Sequence, residues 1–559
     1  MKARVRLPLI AVLALLPAVL PAAAPPPPAS LAYSIDLNRR ADDLFHVTLR
    51  VSGLRPENAV YQFASTAPGT YQIMNIGRYV KAFEAYDARR RRVPAEQISV
   101  NQWRLSEPAR VRTIRYAVTE TWDSQLDHPI YKMCGTSIEA DHVLLNPHAV
   151  IGYPEGLQAA PIRLRLAYPA GWQVGTALHR GPDGVFVAGS YDHLVDSPIL
   201  LGRLSKARLV VTGVPINVYA YSGTGKITAS QLLGAMSGML NAAGRFLGKL
   251  PVDRYTFLYH FGDESAGAWE HSFSSEYVLP EGEFSDSVGR RVTDIAAHEF
   301  FHIVTPLNLH SEIIEHFNFV TPVPSEHLWL YEGTTEWAAH AMQLRSGLKT
   351  PEAYLQTQIT KMHIDRQAYD STYSLRELAL TSYSDSGQTQ YGNIYMRGAL
   401  TAGLLDIRLL ELSRGERGLQ DLIRELTHRY GKRRAFPDST FVDTLVAMTS
   451  PEIRDFFDRY VWDSQHLPIK EYYAKLGITL VEDEQGQPVR FDFDPNPTDE
   501  QRILREAWLG RKPRGATRAL RSSSGAGGPR RRPGPGTAAA RPRSPDRAGP
   551  APGRRRAPE

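Results

Sequence analysis

The segment Ala296-Ala297-His298-Glu299-Phe300-Phe301-His302 places the spacing H-E-x-x-H inside an apolar run. On a helix, residues four apart share a face, so His298 and His302 can direct two imidazoles at one ion. Glu299 stands one residue round, where its carboxylate reaches a metal-activated water without itself ligating the metal. Residue types and spacing together predict a zinc hydrolase site with its general base built in.

A catalytic zinc takes three protein ligands and keeps its fourth position for water. The third ligand predicted here is Glu332, in Leu328-Trp329-Leu330-Tyr331-Glu332-Gly333-Thr334-Thr335-Glu336-Trp337. A carboxylate in so apolar a run is costly to bury without a cation or a metal beside it. Glu336, four residues on, falls on the same helical face and can accept the other ring N–H of a ligand histidine. The alternative makes both glutamates a solvated stripe of an amphipathic helix. His310, His316 and His327 lack a helical pair spacing and read as surface or hydrogen-bonded residues.

The elements that must position these residues form an α+β pattern. Residues 31–212 read as an N-terminal antiparallel β-sandwich, with strands at Tyr33 to Leu37, Leu44 to Val51, Ile162 to Tyr168 and Ala207 to Val211. Helical spacing starts near Ser230, and a strand-like run from Tyr255 to His260 precedes the H-E-x-x-H helix, for which Ser287 or Thr293 is the expected cap. Residues 213–345 are the expected zinc-binding catalytic domain and 346–508 its helical C-terminal part. Asn393 to Leu412 is apolar, yet Arg397, Asp406 and Arg408 make it a core helix rather than a membrane span.

Composition bounds the partners. The formal charge of +6 is set by the end of the chain, which carries 14 basic and 2 acidic residues from Arg511 onward. The remainder holds 51 basic against 57 acidic residues, so the basic pI is no sign of a nucleic-acid partner. Residues 509–559, rich in Arg, Pro and Gly, read as a disordered tail. Lys2, Arg4 and Arg6, an apolar stretch to Leu20 and Ala22-Ala23-Ala24 read as a signal peptide over 1–24. Export to a periplasm or the exterior, without stable membrane insertion, is the expectation; an uncleaved anchor is the alternative. The only cysteine, Cys134, reads as a buried spectator.

Five segments in order resemble the glycyl aminopeptidase family of the gluzincin peptidases. They are Pro68-Gly69-Thr70-Tyr71 with Gly77-Arg78-Tyr79-Val80, then Gly267-Ala268-Trp269-Glu270-His271, the two predicted zinc segments, and Tyr395-Met396-Arg397-Gly398 with Leu405-Asp406. The second is also similar, more distantly, to the Gly-Ala-Met-Glu-Asn exopeptidase motif of aminopeptidase N. The resemblance implies a thermolysin-like zinc-peptidase domain with one Zn2+ per chain, acting on peptide or protein substrates and favouring small N-terminal residues. It implies that Tyr395 assists catalysis, and that Gly267 and Glu270 bind substrate, Glu270 through the free α-ammonium.

Two departures stand out. The Asn-x-Lys-Arg-x-Arg-Pro cluster common in the family is replaced by Ile303-Val304-Thr305-Pro306-Leu307-Asn308-Leu309-His310. The stretch between Leu467 and the tail is too short for the PDZ domain that many members carry. A zinc endopeptidase, a non-catalytic peptide-binding protein on a peptidase scaffold and a non-peptide hydrolase using the same metal are the other readings.

Overall fold

The computed structural model describes residues 29–262, 266–432 and 434–511. The expected signal peptide and nearly all of the expected tail lie outside the described residues. Among the described residues no helix is long and apolar enough to cross a membrane.

Period-two alternation builds the first half. Strand β1 (Ser30–Asp36) buries Leu31, Tyr33 and Ile35 on one face, and β2 (Leu44–Ser52) buries Phe45, Val47, Leu49 and Val51. They pair antiparallel within an eight-stranded sheet. Strand β3 (Ile162–Ala167) lies beside β1 in parallel register, an exception in a sheet otherwise antiparallel. Two four-stranded sheets complete this β-rich half.

The strand expected to close it instead opens the next sheet. β4 (Ser205–Val211) pairs with β5 (Val214–Ser222), and the order continues through β6 (Tyr255–Gly262) to β7 (Gly267–His271) and β8 (Ser274–Pro280). β7 forms the edge, paired among the described residues with β8 alone.

Helix α1 (Ala229–Leu247) begins at Thr228, whose hydroxyl accepts from Gln231 N while the Gln231 side chain accepts from Thr228 N. Its Leu232, Leu233, Met236, Met239 and Leu240 are buried on one face. Helix α2 (Asp286–Phe301) carries the H-E-x-x-H segment. Its cap is Ser285 rather than Ser287 or Thr293: the Ser285 hydroxyl accepts from Val288 N, which starts the helix two residues before the nearer expected cap.

A π-helical turn (Trp329–Thr334) leads into α3 (Thr335–Ser346), followed by α4 (Pro351–Ala368), α5 (Asp385–Gln390) and α6 (Asn393–Leu412). Gly333 and Gly398 explain how closely α6 approaches the π-helical turn. A Cβ on Gly333 would come within 2.8 Å of the Gly398 backbone. The C-terminal half is helical, as expected, but ends in a hairpin (Ile478–Glu482, Pro488–Phe493) and a last helix (Asp499–Trp508) that periodicity did not reveal.

Candidate active site

Helix α2 ends at His302, so His298 and His302 stand on its last turn, both buried, with ring centroids 4.8 Å apart. Glu332 arrives from the π-helical turn, its side chain only 3% exposed. One donor atom from each of His298, His302 and Glu332 lies within 4.8 Å of the other two. The Glu332 Oε2 atom is 3.3 Å from His298 Nε2 and 3.5 Å from His302 Nε2.

The outer faces of both rings are taken. His302 Nδ1 donates to the Thr305 carbonyl at 2.9 Å, and His298 Nδ1 donates to Glu336 Oε2 at 2.7 Å. A carbonyl can only accept, so the proton of a neutral His302 sits on Nδ1 and its Nε2 lone pair faces the Glu332 carboxylate. Burial, the largest influence, holds His302 down to about 4 and keeps it neutral. Lone pair facing carboxylate is repulsive unless a cation lies between them. The donor set therefore fits a divalent metal: two imidazole nitrogens and one carboxylate oxygen, each oriented from behind.

Glu336 is held in turn. Its Oε1 accepts from Lys361 Nζ at 2.6 Å and lies 3.1 Å from His340 Nε2. Burial opposes its charge, but Lys361, His298 and His340 outweigh this and keep the carboxyl well below its usual range. Lys361 also donates to the Tyr395 carbonyl at 3.2 Å, tying α4 to the first turn of α6. Burial likewise works against the His298 cation, yet the hydrogen bonds to Glu332 and Glu336 raise its pKa. Lys361 and His340 are contributors that sequence reasoning missed. The one available signal was a lysine on the apolar side of α4, beside Met362.

Glu299 is buried and points to the same centre. Burial first, then the charges of Glu332 and Glu336, push its carboxyl up to about 8, against the pull of His298. A raised carboxyl beside a metal site suits proton transfer near neutrality. Oxygens of Glu270 and Glu299 and a nitrogen of His302 also lie within 4.8 Å of one another. Glu270 sits on the edge strand β7, and burial, followed by Glu332 and Glu299, raises its carboxyl. Gly267 opens the same strand, and a Cβ there would meet Met133 Sδ at 2.6 Å.

The Tyr395 ring lies 5.4 Å from that of His298, and its hydroxyl donates to Tyr391 at 3.4 Å. A cavity of about 780 Å³ opens beside Glu270, lined by Gly69, Tyr71, Trp269, His271 and Phe273 among others. The remaining histidines stand apart from the donor set. His310 Nδ1 donates to the Pro306 carbonyl, His327 Nε2 to the Asp438 carbonyl, and His316 is exposed. His327 does have an acidic cluster of its own with Glu326 and Asp438. Cys134 is buried and unpaired.

A mixed sheet with an edge strand over a helix bearing two histidines, completed by a glutamate from a following helical segment, is a peptidase architecture. Residues 32–203 match the family model of the Peptidase M61 N-terminal domain, and residues 291–401 match that of M61 glycyl aminopeptidase. The two matches together span just over half of the chain, which belongs to the M61 glycyl aminopeptidase family. No curated protein matches it.

Among solved structures, an aminopeptidase N family protein from Idiomarina loihiensis is 22% identical, with a TM-score of 0.72 over 82% of this chain and 81% of that one. Native yeast LTA4 hydrolase is 12% identical, with a TM-score of 0.50 over 80% of this chain and 70% of that one. At such identities these likenesses speak to the fold.

Proposed function

We propose that this chain is a zinc-dependent aminopeptidase. The observation that carries the reading is the meeting of two carboxylates, Glu299 and Glu270, with the donor set of His298, His302 and Glu332. His298, His302 and Glu332 would hold one zinc ion. When bound, that ion supplies a Lewis acid for the scissile carbonyl and lowers the pKa of water towards neutrality.

The chain's own residues do the rest. Glu299 takes a proton from the attacking water and returns it to the leaving amine. Tyr395 donates its hydroxyl hydrogen to the oxygen that gains charge, and Lys361 steadies it through its backbone carbonyl. Among the described residues edge strand β7 pairs with β8 alone, and an extended peptide can pair on its other side. Glu270 accepts from the substrate's terminal ammonium and so confines cleavage to the first residue.

The small-residue preference that the family resemblance implies does not follow from a tight pocket. The cavity beside Glu270 has room for side chains far larger than a methyl group. That same cavity is the observation favouring the endopeptidase alternative, since it offers space for residues preceding the cleaved bond.

The deciding measurement is kcat/KM on one short peptide with free and acetylated N-termini, in the parent and in Glu270→Ala. A charge-assisted bond to a buried carboxylate predicts a preference of about ten- to a hundred-fold for the free amine, lost in the variant. Equal rates on both peptides in the parent would promote the endopeptidase reading. The export reading rests on residues 1–24 and is tested by locating the mature protein in cell fractions.

A further inference from the structure

The β-rich half sends one loop into the catalytic half. Trp269, beside Glu270 on β7, donates its Nε1–H to the Pro68 carbonyl at 3.1 Å. Gly69 follows with φ +79, and a Cβ there would run into Glu270 Oε1 and come within 2.8 Å of Trp269 Nε1. Only a glycine lets this backbone close on the carboxylate.

Two residues on, Tyr71 has φ 46, a conformation that a bulky aromatic residue seldom adopts. Such backbone persists where surroundings over-determine it, and it concentrates at active sites. The surroundings here are specific. Gln388 on α5 donates its Nε2–H to the Tyr71 carbonyl at 2.6 Å. The Tyr71 ring packs among the side chains of the catalytic half, 5.2 Å from Tyr391 and 6.0 Å from Tyr383. Tyr391 in turn touches Tyr395, and Tyr395 touches His298.

The side chain is 7% exposed, yet its hydroxyl has no hydrogen-bond partner among the described residues, and Tyr71 lines the same cavity as Glu270. Burial first, then the charges of Glu332 and Glu270, raise its pKa, so the hydroxyl stays protonated. A strained, clamped tyrosine with an unpartnered hydroxyl next to the proposed amine anchor has the form of a substrate contact.

We propose that the Tyr71 hydroxyl and the Glu270 carboxylate together form the subsite for the substrate's N-terminal ammonium, which rests on the aminopeptidase reading. An ammonium presents three N–H donors. Glu270 meets it from the edge strand, and the Tyr71 oxygen accepts from a second direction set by the loop of the β-rich half. Tyr71 is then a catalytic residue in the sense that it touches substrate, and the β-rich half is part of the active site.

Tyr71→Phe keeps the ring packing and removes only the hydroxyl. The expected result is a KM about ten-fold higher for the free-amine peptide, with kcat within about three-fold of the parent and metal content unchanged. The preference for free over acetylated peptide should fall by a similar factor. Gly69→Ala, whose Cβ would run into Glu270 Oε1, should erode the same preference.

A fall in kcat at constant KM would make Tyr71 an oxyanion donor and overturn the ammonium assignment. No change in either constant would overturn it as well. If the parent itself cleaves both peptides equally, the aminopeptidase reading fails and the subsite fails with it. If the parent discriminates and Tyr71→Phe discriminates just as well, the reading stands and the subsite does not.

Discussion

Oε2 of Glu336 accepts a hydrogen bond from Nδ1 of His298 at 2.7 Å, across the gap between helices α2 and α3. That contact aims His298 Nε2 at Glu332, and Glu336 can hold it because the Lys361 ammonium donates to the other oxygen of its carboxylate, with His340 Nε2 3.1 Å from the same oxygen. Orientation of one proposed ligand thus depends on three helices rather than one.

Metal binding is the first expectation. The purified protein should retain about one equivalent of zinc after dialysis. His302→Ala should lose it, and Glu336→Gln should weaken affinity by about ten- to a hundred-fold without removing a ligand. Zinc content unchanged in His302→Ala would remove the ligand assignment.

Glu299→Gln preserves shape and leaves the three donors in place. Turnover should fall by about a hundred-fold or more with zinc retained. Near-normal turnover would assign water activation to another group.

Tyr395→Phe should lower kcat by about a hundred-fold and change KM little, since its hydroxyl acts mainly in the transition state. An effect confined to KM would move Tyr395 to substrate binding or packing.

Acid stability offers a test away from the chemistry. His148 is fully buried, its ring edge-on to Trp269 at 5.2 Å. Burial above all, and the nearby His271, lower its pKa from 6.5 to about 3. Between those values the unfolded chain binds a proton that the folded one refuses. The stability is therefore present above pH 6.5 and lost as pH falls towards 3, by up to about 5 kcal/mol. Urea midpoints at pH 7 and pH 4.5 should differ less in His148→Leu than in the parent. An equal difference would place the acid sensitivity elsewhere.

What the sequence determined by itself is what helical and strand periods encode. His298 and His302 share a face because they are four residues apart on one helix, whatever surrounds that helix. Glu332 stood out because a carboxylate in an apolar run needs a partner, and the alternation of β1 and β2 is local. The conformation of each such segment is governed by residues a few positions away, so the chain's order is enough to read it.

Tertiary structure decided what lies between distant positions. Nothing local tells that Tyr71 meets Tyr391, that Gly69 closes on Glu270, that Lys361 joins Glu336 to Tyr395, or that Gly333 and Gly398 let two helical segments touch. The strand from Ser205 was legible as a strand but not as the first of the second sheet, because pairing partners are chosen by topology. The charge state of the site followed the same rule. Glu299, Glu332 and Glu336 are chemically identical side chains, and only burial and the cations that reach each one push the first up and hold the other two down.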